Sequence, residues 1–272
     1  MPFVTNSLLT QRRKRLDDVV TRLPEPSDTQ RVLTKDALKK GFEGFSGQLV
    51  CPWDPNYQAD RKGNSMYPYL ASPELIAYCA TISDVAICLQ VAREYHDNLT
   101  FSVRGGSHSN CGYSVSSGMV IDISRLDSVI VLPEQTSALV EAGANLGTVY
   151  QELERYGLHI PGGECDSVGV SGHCMGGGYG FTSRTFGLNC DVIERVWMIL
   201  ADGRTVVADE NVNPDLFWAV RGGTGNQFGI LLRIQYRLTR LPQVWAFVLA
   251  WPLEDAPRAL VEIQARYIHG FS

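Results

Sequence analysis

The chain has 272 residues, 44% of them hydrophobic and 19% charged, which suits one large domain or two modest ones with real cores. Its net charge of −5, with no block of like charge beyond Arg12-Arg13-Lys14-Arg15, argues against a general nucleic-acid or membrane-surface binder. The opening MPFVTNSLLTQRRKR has neither a continuous apolar stretch nor a small-residue cleavage site, and no apolar run reaches about 18 residues, so a soluble, cytoplasmic chain is expected.

Residues 7–45 are polar and helix-prone, broken by Pro24-Glu25-Pro26. They predict an N-terminal extension of two short helices, the basic run lying on the solvated face of the first. With a lead-in segment this extension fills residues 1–66. From Tyr67 the pattern changes. Ile76–Cys79 reads as a strand, Ser83 caps a helix through about Tyr95, and Leu99–Val103 is a strand running into Arg104-Gly105-Gly106. Together they make a β-α-β unit. Short strands follow over Val120–Ile123, Ser128–Leu132 and Ala138–Ala142, then a helix over Leu146–Tyr156 and a glycine-rich loop. Beyond it, Val192–Leu200 and Thr205–Ala208 flank Asp202-Gly203, a hairpin signal. A short helix over Asp215–Val220, an alternating strand over Gly229–Leu238 and a strand over Trp245–Trp251 precede a final helix that runs to the end. The mixture predicts an α+β fold wrapped around a ligand.

The seven cysteines, at 51, 79, 88, 111, 165, 174 and 190, are odd in number and contain no C-x-x-C pair, so neither a disulfide framework nor a zinc ribbon follows. Cys88 sits on the apolar stripe of its helix, and Cys111 and Cys174 are expected as small buried residues. A zinc set drawn from His108, Cys111, Cys165, His173 and Cys174 matches no common ligand spacing, so no metal is expected. The sequon Asn98-Leu99-Thr100 has no export signal to make it usable.

Two loops concentrate the chemistry. IPGGECDSVGVSGHCMGGGYG, residues 160–180, holds eight of the 26 glycines, where an even spread would put about two. Such bare backbone admits positive φ and the close approach of a ligand or of another chain segment, and its unpaired N–H groups can cradle an anion. Neither G-x-G-x-x-G nor G-x-x-x-x-G-K-[ST] occurs, which argues against a Rossmann or P-loop site. The second loop, VRGGSHSNCGYSVSSGMVIDIS over residues 103–124, suggests backbone laid along a phosphate with an imidazole projecting from it.

Val103-Arg104-Gly105-Gly106-Ser107-His108-Ser109, the strand Val120-Ile121-Asp122-Ile123 and Ala142-Gly143-Ala144 resemble the FAD-binding fold of the p-cresol methylhydroxylase and vanillyl-alcohol oxidase superfamily. Cys165-Asp166-Ser167-Val168-Gly169-Val170-Ser171-Gly172-His173 with Gly176-Gly177-Gly178-Tyr179-Gly180 is similar to its berberine-bridge-enzyme-like branch. Pro52, Asp54, Tyr57 and Arg61 upstream and Trp218-Ala219-Val220-Arg221-Gly222-Gly223 downstream extend the likeness over about residues 47–240.

The resemblance implies a two-lobed FAD-binding domain over residues 67–242, with residues 243–272 only the beginning of a substrate-domain sheet. It implies FAD bonded through its 8α-methyl to His108 and through C6 to Cys165, an imidazole and a thiolate being the neutral-pH nucleophiles suited to an electron-poor ring. His173 would hydrogen-bond the flavin and stabilise its reduced anion. Arg104, Gly105, Gly106, Ser107, Ser109, Gly169, Gly172, Gly176, Gly177, Gly178, Tyr179 and Gly180 would cradle the cofactor. Val168 would gate O2, valine being the permissive choice, which implies an oxidase. Tyr113 and Tyr179 would either line the substrate face or simply pack. The branch commonly has Pro-Thr where this chain has Asp166-Ser167, which sets a carboxylate near the flavin edge. The implied reaction is hydride abstraction from a C–H next to O or N of a carbohydrate, alcohol or specialised metabolite. The catalytic base and a closing Tyr-x-Asn segment are expected outside this chain, which would then be a fragment, an early-terminating product or one chain of a two-chain assembly; a flavin binder without turnover, or a partner subunit, is the alternative function.

Overall fold

The computed structural model describes residues 32–63, 71–225, 227–241, 243–245 and 248–268. The basic run at 12–15 and the first expected helix lie outside these residues. Two compact units result, residues 1–240 and 241–272.

In the first unit, α1 (Lys35–Gly41) is capped by Thr34, whose hydroxyl accepts from the Ala37 N–H. It does not stand off as an extension. Leu38 and Phe42, four apart on one face, are buried in the main core together with Leu33. Next come β1 (Gln48–Val50), α2 (Tyr57–Asp60), β2 (Leu75–Tyr78), α3 (Ile82–Glu94), β3 (Phe101–Arg104) and β4 (Met119–Asp122). The cap of α3 is Thr81 rather than Ser83: Thr81 Oγ1 accepts from the Asp84 N–H while the Asp84 carboxylate accepts from the Thr81 N–H. This reciprocal box satisfies two donors that Ser83 would leave orphaned.

These strands form a sheet in the order β1-β2-β4-β3, with β2, β4 and β3 parallel and β1 antiparallel at the edge. Leu75, Ala77, Met119 and Ile121 enter the main core from one face, and Ile76 and Val120 join Val50 and Tyr57 on the other. Burial on both faces accounts for the unbroken apolar runs of β2 and β4.

A second, antiparallel sheet has the order β5-β6-β10-β8-β9, from β5 (Val129–Val131), β6 (Ser137–Glu141), β8 (Ile193–Ile199), β9 (Thr205–Ala208) and β10 (Ile230–Arg237). Between β6 and β8 the chain makes α4 (Leu146–Glu154), β7 (Leu158–His159), α5 (Val170–Met175) and α6 (Ser183–Phe186). After β9 comes α7 (Pro214–Val220), and β11 (Thr239–Arg240) pairs with β7. The two sheets with their helices form the α+β architecture.

In the second unit, α8 (Ala256–Ile263) continues as a wider turn over 264–268, with no buried residue in α8. The strand expected over Trp245–Trp251 is not formed at the described residues 243–245 and 248–251. Trp245 and Val248 are 84% and 93% exposed, so the sheet surface that would make a strand of this apolar run is not supplied by this unit. Among the described residues no helix is long and apolar enough to cross a membrane.

Candidate functional site

Parallel register sets Tyr78 and Arg104 each opposite Asp122, one row at the carboxyl ends of β2, β4 and β3. Arg104, only 4% exposed, pairs through Nε with the Asp122 carboxylate, donates to the Asp60 carbonyl at 2.8 Å, and donates to the Tyr78 hydroxyl at 3.2 Å. The Tyr78 phenol is pushed up to about 12, chiefly by burial and against the opposing pull of Arg104. The guanidinium fork is thus spent inside the protein. Of the cradle residues read from the sequence, Arg104 anchors its loop and does not line the cavity.

The chain leaves this row as Gly105-Gly106-Ser107-His108, and the second loop packs against it backbone to backbone. A Cβ on Gly106 would lie 2.1 Å from the Gly169 nitrogen, and one on Gly169 would lie 2.5 Å from the Gly106 nitrogen. Neither loop tolerates a side chain at the crossing. His108 and Cys165 are consequently held near one another, both against Ser167: His108 Nε2 is 2.8 Å from Ser167 Oγ, and Cys165 Sγ is 3.5 Å from the same oxygen.

Between the loops lies a cavity of about 350 Å³, lined by Gly105, Gly106, Ser107, His108, Ser109, Val168, Gly169, Gly172, His173 and Gly176, with Val103, Tyr113, Ser114, Ser171, Met175, Thr224 and Gly225 completing the wall. That volume falls in the ~300–1,000 Å³ range of small-molecule and cofactor sites. Ser107 (φ 57°) and Thr224 (φ 73°) hold the left-handed conformation that non-glycine residues seldom adopt, and both line it. The other two described non-glycine residues with positive φ, Gln135 and Asn213, lie outside the cavity. A Cβ on Gly172 would meet nothing within 4 Å, leaving that wall bare for a group to approach.

His173 is wedged between glycines: a Cβ on Gly163 would lie 3.2 Å from its Cε1, and one on Gly178 2.8 Å from its Cδ2. The Gly163 N–H donates to Nε2 at 3.1 Å, so the neutral ring carries its proton on Nδ1. Burial pushes its pKa below the ordinary imidazole value. The segment behind it is pinned by Tyr150, whose hydroxyl donates to the Gly163 carbonyl at 2.7 Å, and by Asn189, which donates to the Pro161 carbonyl at 2.7 Å. Tyr236 in turn donates to Asn189 Oδ1 at 2.9 Å.

Gly177, Gly178, Tyr179 and Gly180 do not line this cavity. A Cβ on Gly180 would lie 1.6 Å from the Gly162 carbonyl oxygen, so that glycine serves loop packing, and Tyr179 is 71% exposed. Cys165 is exposed and contacts Ser167, and neither of the two lines the cavity. Asp166 is not in the lining either; it lies against α4, where its charge adds to burial in pushing the Tyr150 phenol up to about 12. Cys174 is buried as expected, but Cys111 is exposed because its turn lies outside the core. Met175, Thr224 and Gly225 were not legible as site residues. They meet because the Thr224 N–H donates to the Met175 carbonyl at 2.9 Å, a contact without a local signature.

The FAD binding domain family matches residues 73–209, half of the chain. The chain therefore belongs to that family, in its berberine-bridge-enzyme-like branch of the p-cresol methylhydroxylase type. It is 35% identical over 216 residues to the uncharacterized FAD-linked oxidoreductase YgaK of Bacillus subtilis (strain 168), covering 78% of this chain and 47% of that protein. The solved structure of Physcomitrella patens BBE-like 1 superposes with a TM-score of 0.69 at 29% identity, over 74% of this chain and 44% of the other. Glucooligosaccharide oxidase from Acremonium strictum, described as carrying a 6-S-cysteinyl, 8α-N1-histidyl FAD, gives a TM-score of 0.66 at 28% identity over 74% and 42%. The chain spans about half, or less, of the length of the curated relatives it matches.

Proposed function

We propose that the chain is the flavin-holding part of an FAD-dependent oxidase that takes a hydride from a C–H next to O or N of a carbohydrate, an alcohol or a specialised metabolite. In this reading FAD is bonded to His108 and to Cys165. The observation that carries it is the gathering of both side chains on one serine beside a glycine-lined cavity that holds His173. FAD supplies the electron-accepting ring. The chain's own part is to hold and orient it: Gly106 and Gly169 let the two loops cross, Gly172 and Gly176 keep the wall bare, Ser107 and Ser109 offer hydroxyls, and the Nδ1–H of His173 is a neutral donor for developing negative charge. Acid-precipitated protein should stay yellow, with an intact mass higher by one FAD, and His108→Ala or Cys165→Ala should each leave a single bond. A colourless precipitate from folded, yellow protein would sink the covalent reading.

O2 is the acceptor in this reading, because Val168 lines the cavity and one methylene more would fill the small space that O2 needs. Val168→Leu should slow reoxidation in stopped flow. Protein that stays reduced for minutes in air would instead be a dehydrogenase.

A second reading, a flavin binder that lacks turnover unless another polypeptide supplies the base, is favoured by one observation. Among the described residues, those of the cavity wall that can titrate are His108, Tyr113 and His173, with no carboxylate among them. Bleaching of the yellow colour by a panel of sugars, alcohols and amines separates the two readings: loss of colour means turnover, and persistence means a binder.

A further inference from the structure

Ser167 stands between the two side chains to which the proposed function assigns the flavin bonds, and its hydroxyl has one proton and two lone pairs. With His108 Nε2 at 2.8 Å and Cys165 Sγ at 3.5 Å, two self-consistent bonding patterns exist. In one, the His108 Nε2–H donates to Ser167 Oγ and the serine O–H donates to sulfur. Nδ1 then keeps a free lone pair, and sulfur is held as an acceptor. In the other, the serine O–H donates to Nε2 and the thiol donates to the serine. Nδ1 then carries the proton, and the sulfur keeps its own.

The form of His108 with a free Nδ1 lone pair therefore occurs together with a Cys165 sulfur that accepts from the serine while its own S–H turns elsewhere, decided by where one hydroxyl proton points. The two loops that carry these side chains are held at a set separation, because Gly106 and Gly169, each two residues from this contact, are packed backbone against backbone. The Val168 N–H also closes a turn onto the Cys165 carbonyl at 3.1 Å, which keeps cysteine and serine together.

We propose that Ser167 is a positioning residue that couples His108 to Cys165, holding His108 as its Nε2–H tautomer with Nδ1 free while the serine hydroxyl faces sulfur. The inference rests on the reading of these residues as flavin ligands only for its consequence, not for its test.

The test is the ¹⁵N–¹H correlation spectrum of the His108 ring in the flavin-free 272-residue chain, assigned by its loss in His108→Gln. The Nε2–H form should predominate. Ser167→Ala should shift the tautomer ratio by about fivefold, the worth of one ordinary hydrogen bond, and Ser167→Thr should retain it. Cys165→Ala should move the ratio toward Nδ1–H in the presence of Ser167 and leave it unmoved in Ser167→Ala, a double-mutant cycle that a merely structural serine would not produce. An unchanged ratio in Ser167→Ala, or an effect of Cys165→Ala that does not depend on Ser167, overturns the coupling. On incubation with FAD in air, where each ring–protein bond replaces a C–H bond and leaves the flavin two electrons reduced until O2 reoxidises it, covalent attachment should be slower by up to about fivefold in Ser167→Ala and normal in Ser167→Thr. Failure of any attachment with the tautomer result intact would overturn the flavin-ligand reading and leave the coupling standing.

Discussion

The glycines of the two loops and their surroundings divide by what they face. A Cβ on Gly143 would lie 1.7 Å from the Ile123 carbonyl oxygen, and one on Gly180 1.6 Å from that of Gly162, so these glycines let the chain approach itself. Gly172, by contrast, faces open space, and Gly176 has its nearest neighbour at 3.5 Å; both line the cavity. The difference teaches that glycine density is a poor count of ligand contacts. Much of it in residues 160–180 is taken up by loop-on-loop packing, and only the remainder is left for a cofactor.

The largest expected effect tests the inward group. Gly143→Ala or Gly180→Ala puts a methyl where backbone oxygen already lies and should cost about 4 kcal/mol or more, read as lost soluble protein or a collapsed Tm. A Tm within a few degrees of the parent would show that these loops yield, and would erase the distinction. Next comes the anchor beneath the first loop. Asp122→Ala leaves Arg104 buried without its carboxylate and should cost about 3 kcal/mol in urea unfolding, because the remaining charge is uncompensated. A loss of flavin with unchanged stability would instead return Arg104 to the list of cofactor contacts.

Away from both loops, Asp84 offers a control. Burial pushes its carboxyl up, but the N–H groups of Ser46, Ala80 and Thr81 and the Ser46 hydroxyl outweigh this and hold it below the usual range. A folded value below the unfolded one, about 3.9, means stability that is fully present above that pH and is lost as pH falls through the folded value. Asp84→Asn should cost about 2 kcal/mol at neutral pH and flatten the acid limb of the stability profile. An unaltered acid limb would remove Asp84 from the account of acid sensitivity.

The smallest effect has the sharpest sign. Gly172 lies inside α5 with room for a Cβ, so Gly172→Ala should stabilise the flavin-free chain by about 0.5–1 kcal/mol through helix propensity. The same methyl enters the cavity and should weaken flavin retention. Stabilisation with undiminished flavin binding would show that this wall of the cavity faces no ligand.

Periodicity and local chemistry were sufficient for most strands and helices and for the two loops, because those signals sit within a few adjacent residues, whereas His108, Cys165 and His173 were brought together as a set only by the family resemblance. They were insufficient for the short elements. β1 and β7 are three and two residues long and exist only through partners far along the chain, and α5 carries a glycine in its middle. The run Trp245–Trp251 shows the reverse case, apolar residues that read as a strand but have no neighbouring strand to pair with among the described residues.

What the amino-acid sequence by itself determined is which residue types crowd into the two loops, and with them the flavoprotein class. Only the tertiary structure decided how they are used. Parallel register carried Arg104 inward to Asp122, backbone crossing consumed Gly106 and Gly169, and Thr224 came to the wall from beyond α7. Ser167, an ordinary small residue in the sequence, became the shared partner of His108, 59 positions away. Hydrogen bonds and close approaches of that kind depend on strand register and loop crossing, which link positions with no local pattern in common.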